Sequence, residues 1–227
     1  PRFGTAQVYQ MYRFIFERSS RLPLRHRARA MRSRAAIGHI PFGYFDLLYP
    51  DALYVSLFRA PEARFLSFVN FMLATPDHKS RQRLDPGVLD RAAEDPDAVV
   101  RAVLEDEHLA LIHANTQTRL AAGAARLGPH PVTGAHLQIA LMNLGDPRYL
   151  VGLQEDFDAF VLRLDGLLPG DGVAPAVPPR LAKKGHARIG LAHLSPKSRA
   201  RIRSANALDL ALIDAIEETA VRQAQAA

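Results

Sequence analysis

Arginine, glycine and threonine sit together in Pro1-Arg2-Phe3-Gly4-Thr5, where their chemistry points to anion binding. A glycine turn followed by a hydroxyl residue at a helix start leaves backbone N–H groups at the positive end of a helix dipole. Arg2 adds a guanidinium beside them. The same residues also read as a plain Gly-Thr cap. A second candidate pair is Arg59, at the end of the apolar run ALYVSLF (52–58), and Ser67, roughly 10 Å up the helix that Pro61 opens. Open α/β sheets bind ligands at the carboxyl ends of their strands, so an arginine and a serine placed there can pinch one phosphate. The alternative is an Arg59–Glu62 ion pair with Ser67 simply exposed. His39, beside Gly38, has an ordinary pKa suited to taking a proton from a hydroxyl. A satisfied core histidine is its other reading.

These residues need elements to hold them. Apolar spacing at Val8, Met11, Tyr12, Ile15 and Phe16 predicts a helix over 4–20, directly after Gly4-Thr5. AIGHI (36–40) reads as a strand end before Pro41, and Phe45, Leu47 and Leu48 as a helical turn closed by Pro50. Run 52–58 reads as a buried parallel strand, apolar on both faces. A helix follows from Pro61, with Phe65, Phe68, Val69 and Met72 on its apolar face. Residues 85–126 read as helices punctuated at Pro86, Pro96 and Gly123. Another helix is expected over 134–143, a strand over 149–153 and a helix over 155–168. After a Pro/Gly loop at 169–180, one long helix is expected from Pro196, capped by Ser195, with Ile202, Leu208, Leu212, Ile213 and Ile216 inward and a fraying tail. Alternating strands and helices argue for a parallel sheet covered on both faces.

Composition narrows the function classes. With 227 residues, 48% of them hydrophobic and 23% charged, the chain resembles an ordinary globular protein. It has no apolar stretch of the roughly 18 residues that a membrane helix needs, and its first residues do not read as a signal peptide. Cysteine is absent, which removes disulfides, thiolate metal sites and cysteine nucleophiles from the sequence given. A cytoplasmic location is the expectation. The net charge is +6, concentrated in Arg13, Arg18, Arg21, Arg25, Arg27, Arg29, Arg32 and Arg34 against Glu17. Such a field recruits anions, although a solvated basic helix face accounts for it equally well. There is no GxxxxGK[ST], GxGxxG, HExxH or GxSxG pattern, and the 9 histidines form no metal-like spacing with carboxylates.

At this point the segments fall into a family pattern. YVSLFRAPEARFLSFVNFM resembles the 3′-phosphate segment of Golgi-type and bacterial carbohydrate sulfotransferases, strand–FRDPxxRxxS–helix, with Ala60 in place of the aspartate. PRFGT resembles their 5′-phosphosulfate loop, P-K-x-G-T, with Arg2 keeping the lysine's charge in a wider fork. Ile37-Gly38-His39-Ile40-Pro41-Phe42 resembles the G-H-x-x-[FY] stretch of heparan 2-O-sulfotransferases. Asn115-Thr116-Gln117-Thr118-Arg119-Leu120, Tyr149–Phe157 (YLVGLQEDF) and Ser204–Asp209 resemble, in the same order, N-x-Q-T-R-x-L, V-G-x-x-E-x-F and the final N-x-x-D helix. The matches run from residue 1 to about 216.

The resemblance implies a single domain over 1–227, α/β and helix-rich, with a P-loop-like parallel sheet flanked by helices on both faces. In the sequence as given, that sheet would lack the strand that precedes the loop. It further implies transfer of a sulfuryl group from 3′-phosphoadenosine-5′-phosphosulfate (PAPS), leaving the bisphosphate PAP, to an acceptor hydroxyl on a saccharide. No metal or nucleic acid is expected to take part. The roles implied are catalytic for His39, as general base, and for Arg2. Arg2, Phe3, Gly4, Thr5, Arg59, Ser67 and Arg119 would bind the cofactor. Lys183, Lys184 and Arg188 read either as a nucleotide clamp or as a solvated loop. Two other functions stay open on the sequence: a non-catalytic PAP-binding relative, and a nucleic-acid module built on the basic segment 18–34.

Overall fold

The computed structural model describes residues 8–11, 35–123, 130–167 and 189–226. These residues are helix-rich with short strands, an α/β composition. The chain divides into two compact units, 1–55 with 116–150 and 56–115 with 151–227.

In the first unit, β1 (Val8–Met11) pairs in parallel with β2 (Ala35–Gly38), with Val8 opposite Ala35 and Met11 opposite Gly38. The helix expected over 4–20 is therefore a strand at 8–11. The run VYQM suits a strand as well as a helix face, and its partner lies too far along the chain for local periodicity to reveal. The segment after β2 is fixed by aromatic packing. Phe42 stacks on Tyr149 at 4.6 Å between ring centres and tilts against Tyr54 at 5.0 Å. The Phe42 amide donates to the Leu120 carbonyl at 3.0 Å. Helix α5 (Thr116–Ala122) lies against α6 (Gly134–Asn143), where the Asn143 amide donates to the Ala121 carbonyl at 2.7 Å. Gly123 ends α5 at φ +97°, and a Cβ there would lie 2.9 Å from the Phe42 carbonyl oxygen. Both the angle and the close approach call for glycine.

β3 (Tyr54–Phe58) and β4 (Tyr149–Leu153) form a second two-stranded sheet. β3 was expected to be buried on both faces. Instead Tyr54 and Phe58 are buried while Val55 and Leu57 are 42% and 39% exposed. Among the described residues β3 has β4 as its paired strand, so it lacks the two-sided cover of a central parallel strand.

The second unit is built on α1 (Pro61–Leu73), whose Phe65, Leu66, Val69 and Met72 enter a core with Val99, Val103, Leu109 and Ile202. Short helices α2 (Pro86–Asp90), α3 (Pro96–Glu105) and α4 (Glu107–His113) follow. Each starts on an aspartate whose carboxylate accepts a first-turn amide: Asp85 from Gly87, Asp95 from Ala98 and Asp106 from Leu109. α7 (Phe157–Leu167) follows β4. Asn70 on α1 exchanges two hydrogen bonds of 2.9 Å with the backbone of Ile189.

Ser195 caps α8 (Pro196–Ala205), as expected, through the Ser198 amide at 3.2 Å. The single long helix does not form: it breaks at Asn206 (φ −119°, ψ 30°), and α9 runs from Ala207 to Ala226. The tail expected to fray is helical up to Ala226.

Candidate functional site

The strand–helix joint at Arg59 is set by ordinary local chemistry. β3 ends on Phe58, a core residue, and Pro61 at the first position of α1 holds Ala60 extended at φ −47°, ψ 127°. No side chain of Ala60 caps the helix; its amide donates to Glu155 Oε1 at 3.5 Å, a long contact. Arg59, half-buried, thus stands between a strand end and a helix start, and Ser67 is exposed on the same helix. From Pro61 to Ser67 the helix rises about 9 Å. Glu62, the partner proposed for Arg59 in the alternative reading, is instead paired with Arg203 at 2.6 Å.

A buried polar cluster lies beside this joint in the same unit. Arg64, one turn from Ser67, donates through Nη2 to the His113 carbonyl and to Asn206 Oδ1, the latter at 3.0 Å. Its Nε lies 3.8 Å from the buried Asp209 carboxylate, beyond hydrogen-bond reach. Burial pulls the Arg64 pKa below its ordinary value, and the Asp209 charge opposes that shift. Asn206 Oδ1 also accepts from the Asn115 amide at 3.1 Å, while its Nδ2 donates to the Ile202 carbonyl at 2.9 Å. Asn115 has φ +50°, a left-handed conformation that asparagine tolerates better than most residues. Its Oδ1 accepts from the Leu208 and Asp209 amides at 2.9 and 3.2 Å, so a residue about 90 positions upstream caps α9. Next to it, His113 stacks on Phe68 with ring centres 3.5 Å apart.

His39 and Arg119 belong to the first unit. His39 follows β2 directly and is exposed, which excludes the core-histidine alternative. Arg119, on α5, is only 2% exposed and donates through Nη2 to the His130 carbonyl at 2.9 Å. The carboxylate nearest His39 in sequence, Asp46, accepts at Oδ1 from the Tyr54 hydroxyl at 3.1 Å and from Arg148 Nη1 at 3.0 Å. Arg148 also holds Asp146 at 2.9 Å and lies over the Phe42 ring at 5.7 Å. Asp46 is therefore committed to structure.

Arg59 and Ser67 lie on one strand–helix segment, Arg59 just before the helix and Ser67 about two turns along it. Arg2, Phe3, Gly4 and Thr5 lie outside the described residues, as do Lys183, Lys184 and Arg188. The described strand at Val8–Met11 lies within the span where a helix was expected to follow the Pro1–Thr5 loop. Asn206 and Asp209, together with Arg64, were legible as parts of matched segments but not as one cluster. The local signal was a set of polar residues on helices where apolar neighbours recur, Asn206 and Asp209 among Ile202, Leu212 and Ile213. Among the described residues, no group of three or more His, Asp or Glu is arranged to hold a metal ion, and no helix is long and apolar enough to cross a membrane. The chain matches no family model, no characterised protein and no solved structure.

Proposed function

We propose that this chain transfers a sulfuryl group from PAPS to an acceptor hydroxyl, on a saccharide. The observation that carries the reading is the Arg59–Ser67 joint. It sets a cation at a strand end and an exposed hydroxyl on the following helix, the residue types that a phosphate needs. The ordered resemblance of the flanking segments supplies the rest. The residues present fit a 3′-phosphate: Arg59 offers a fork of charged donors, and exposed Ser67 offers a hydroxyl. A P-loop-like sheet with helices on both faces belongs to this proposal.

PAPS, when bound, supplies the sulfuryl group and an adenosine bisphosphate leaving group. The chain's own residues have three tasks. Arg59 and Ser67 fix the 3′-phosphate and so orient the donor. Arg2 with Gly4 and Thr5 would hold the 5′ end and offset charge on the leaving oxygen. His39, exposed and able to meet an acceptor, accepts the proton of the hydroxyl whose oxygen forms the new O–S bond. Positioning and charge stabilisation would lower most of the barrier, as in phosphoryl transfer. The deciding experiment is a thermal-shift titration with PAP and with 5′-AMP. A larger shift with PAP is expected, and equal shifts would remove the basis for the proposal.

A further inference from the structure

The buried cluster around Arg64 has a cost that packing alone does not require. Asn206 interrupts a helix, Asn115 is held at φ +50°, and a guanidinium is partly, and a carboxylate fully, taken out of water. Each of these is unfavourable by itself. Strain and buried charge of this kind persist where a unique geometry is being specified.

We infer that Arg64, Asn115, Asn206 and Asp209 are positioning residues: a polar latch that fixes α1 against the α8–α9 junction and so presets Arg59 and Ser67 for a 3′-phosphate. The inference rests on the sulfotransferase reading of that pair. Arg64 lies in the first turns of α1, three residues or about one turn before Ser67 and five residues after Arg59. The apolar face of α1, with Phe65, Val69 and Met72 against Ile202, resists separation but only weakly resists sliding. Directional bonds to Asn206 and to the His113 carbonyl select one register. Asn115 completes the latch by locking Asn206 through its amide and α9 through its side chain. On the surface, the Glu62–Arg203 pair ties the same two helices.

The test is equilibrium titration of the full chain and its variants with PAP and with 5′-AMP, which lacks the 3′-phosphate. Arg64→Lys keeps the charge, but the lysine side chain is one atom shorter, so its ammonium falls short of the position from which Nη2 donates to both Asn206 and the His113 carbonyl. PAP affinity should fall about 10–100-fold, the range for losing a supporting contact behind a ligand site, while 5′-AMP affinity stays within about twofold. In an Arg59→Ala/Ser67→Ala background the same Arg64→Lys change should move PAP affinity by less than about twofold, since the groups it positions are gone. General loosening of the fold would not produce that pattern. Asn115→Gly keeps the left-handed backbone but loses the cap and should act like Arg64→Lys; Asn115→Asp keeps an acceptor and should restore most of the affinity. If Arg64→Lys does not fold, the Asn115 pair decides the matter.

Wild-type PAP affinity in a folded Arg64→Lys protein would overturn the latch while leaving the sulfotransferase reading intact. So would parallel loss of PAP and 5′-AMP binding. A wild-type chain that binds PAP no better than 5′-AMP would instead overturn the functional reading, and the latch with it.

Discussion

Arg59, Ser67 and His39 sit in different surroundings, and their losses should be felt differently. Arg59→Ala removes a charged fork from a phosphate and should weaken PAP binding by about 2–3 kcal/mol, whereas Ser67→Ala removes one neutral hydroxyl and should cost about 1 kcal/mol. Calorimetric titration reads both, and unchanged affinity in both variants would place the phosphate elsewhere. Because Ser67 is exposed, its replacement should leave the melting temperature where it was. His39 is exposed as well, so His39→Ala should melt like the parent and bind PAP like the parent. It should slow single-turnover transfer by about 10²–10⁴-fold, the range for a lost general base. His39→Asn should be no faster, since an amide takes no proton. Neither Asp46 nor Glu62 is positioned to replace it: Arg148 and Tyr54 hold the first, and Arg203 the second.

At the scale of elements, the turn after β2 depends on Tyr54. Its hydroxyl accepts from the Phe45 amide at 2.7 Å and donates to Asp46, and burial pushes its pKa well above the ordinary tyrosine value. A raised folded pKa means that the unfolded chain ionises first. Tyr54 thus contributes stability that is fully present below about pH 10 and declines as the pH rises further. Urea denaturation at a series of alkaline pH values should show this decline, and Tyr54→Phe should flatten it. The same variant should cost about 1–3 kcal/mol at neutral pH, because the Phe45 amide loses its acceptor. On β4, a Cβ at Gly152 would come within 2.2 Å of the Phe160 ring. Gly152→Ala must therefore displace a buried aromatic of α7 and should destabilise by about 1–3 kcal/mol in a denaturant melt. An alanine variant as stable as the parent would mean that Phe160 moves aside freely.

For the whole molecule, the net charge of +6 and pI near 10.0 predict attraction to anions of every kind, so affinity alone discriminates little. The comparison that matters is between PAP and anions of similar charge. PAP at about 100 times its dissociation constant should stabilise the fold by roughly 2.7 kcal/mol, visible as a raised melting temperature. ATP and NAD should shift it less. Random duplex DNA should bind weakly, with strong salt dependence; if it stabilised the chain more than PAP did, the basic-module reading would replace the enzyme reading.

The sequence by itself determined most of the helices, because their signals are local. Proline at the first position fixed the starts of α1, α3 and α8, aspartate and Ser195 the caps, and Gly123 the end of α5. It also singled out Arg59 and Ser67, whose relation is one strand end and two helical turns. Four matters depended on residues distant along the chain. Val8–Met11 became a strand because Ala35–Gly38 supplies its hydrogen bonds. β3 shows Val55 and Leu57 to solvent because cover is a property of neighbours and not of the run itself. The last helix breaks at Asn206, whose Oδ1 accepts from both Arg64 and the Asn115 amide, and α9 takes its cap from Asn115. Arg119, read as a ligand contact, has its guanidinium drawn inward onto the His130 carbonyl. Hydrogen bonds between such distant partners leave no periodic trace, so only tertiary structure could decide where these polar side chains went.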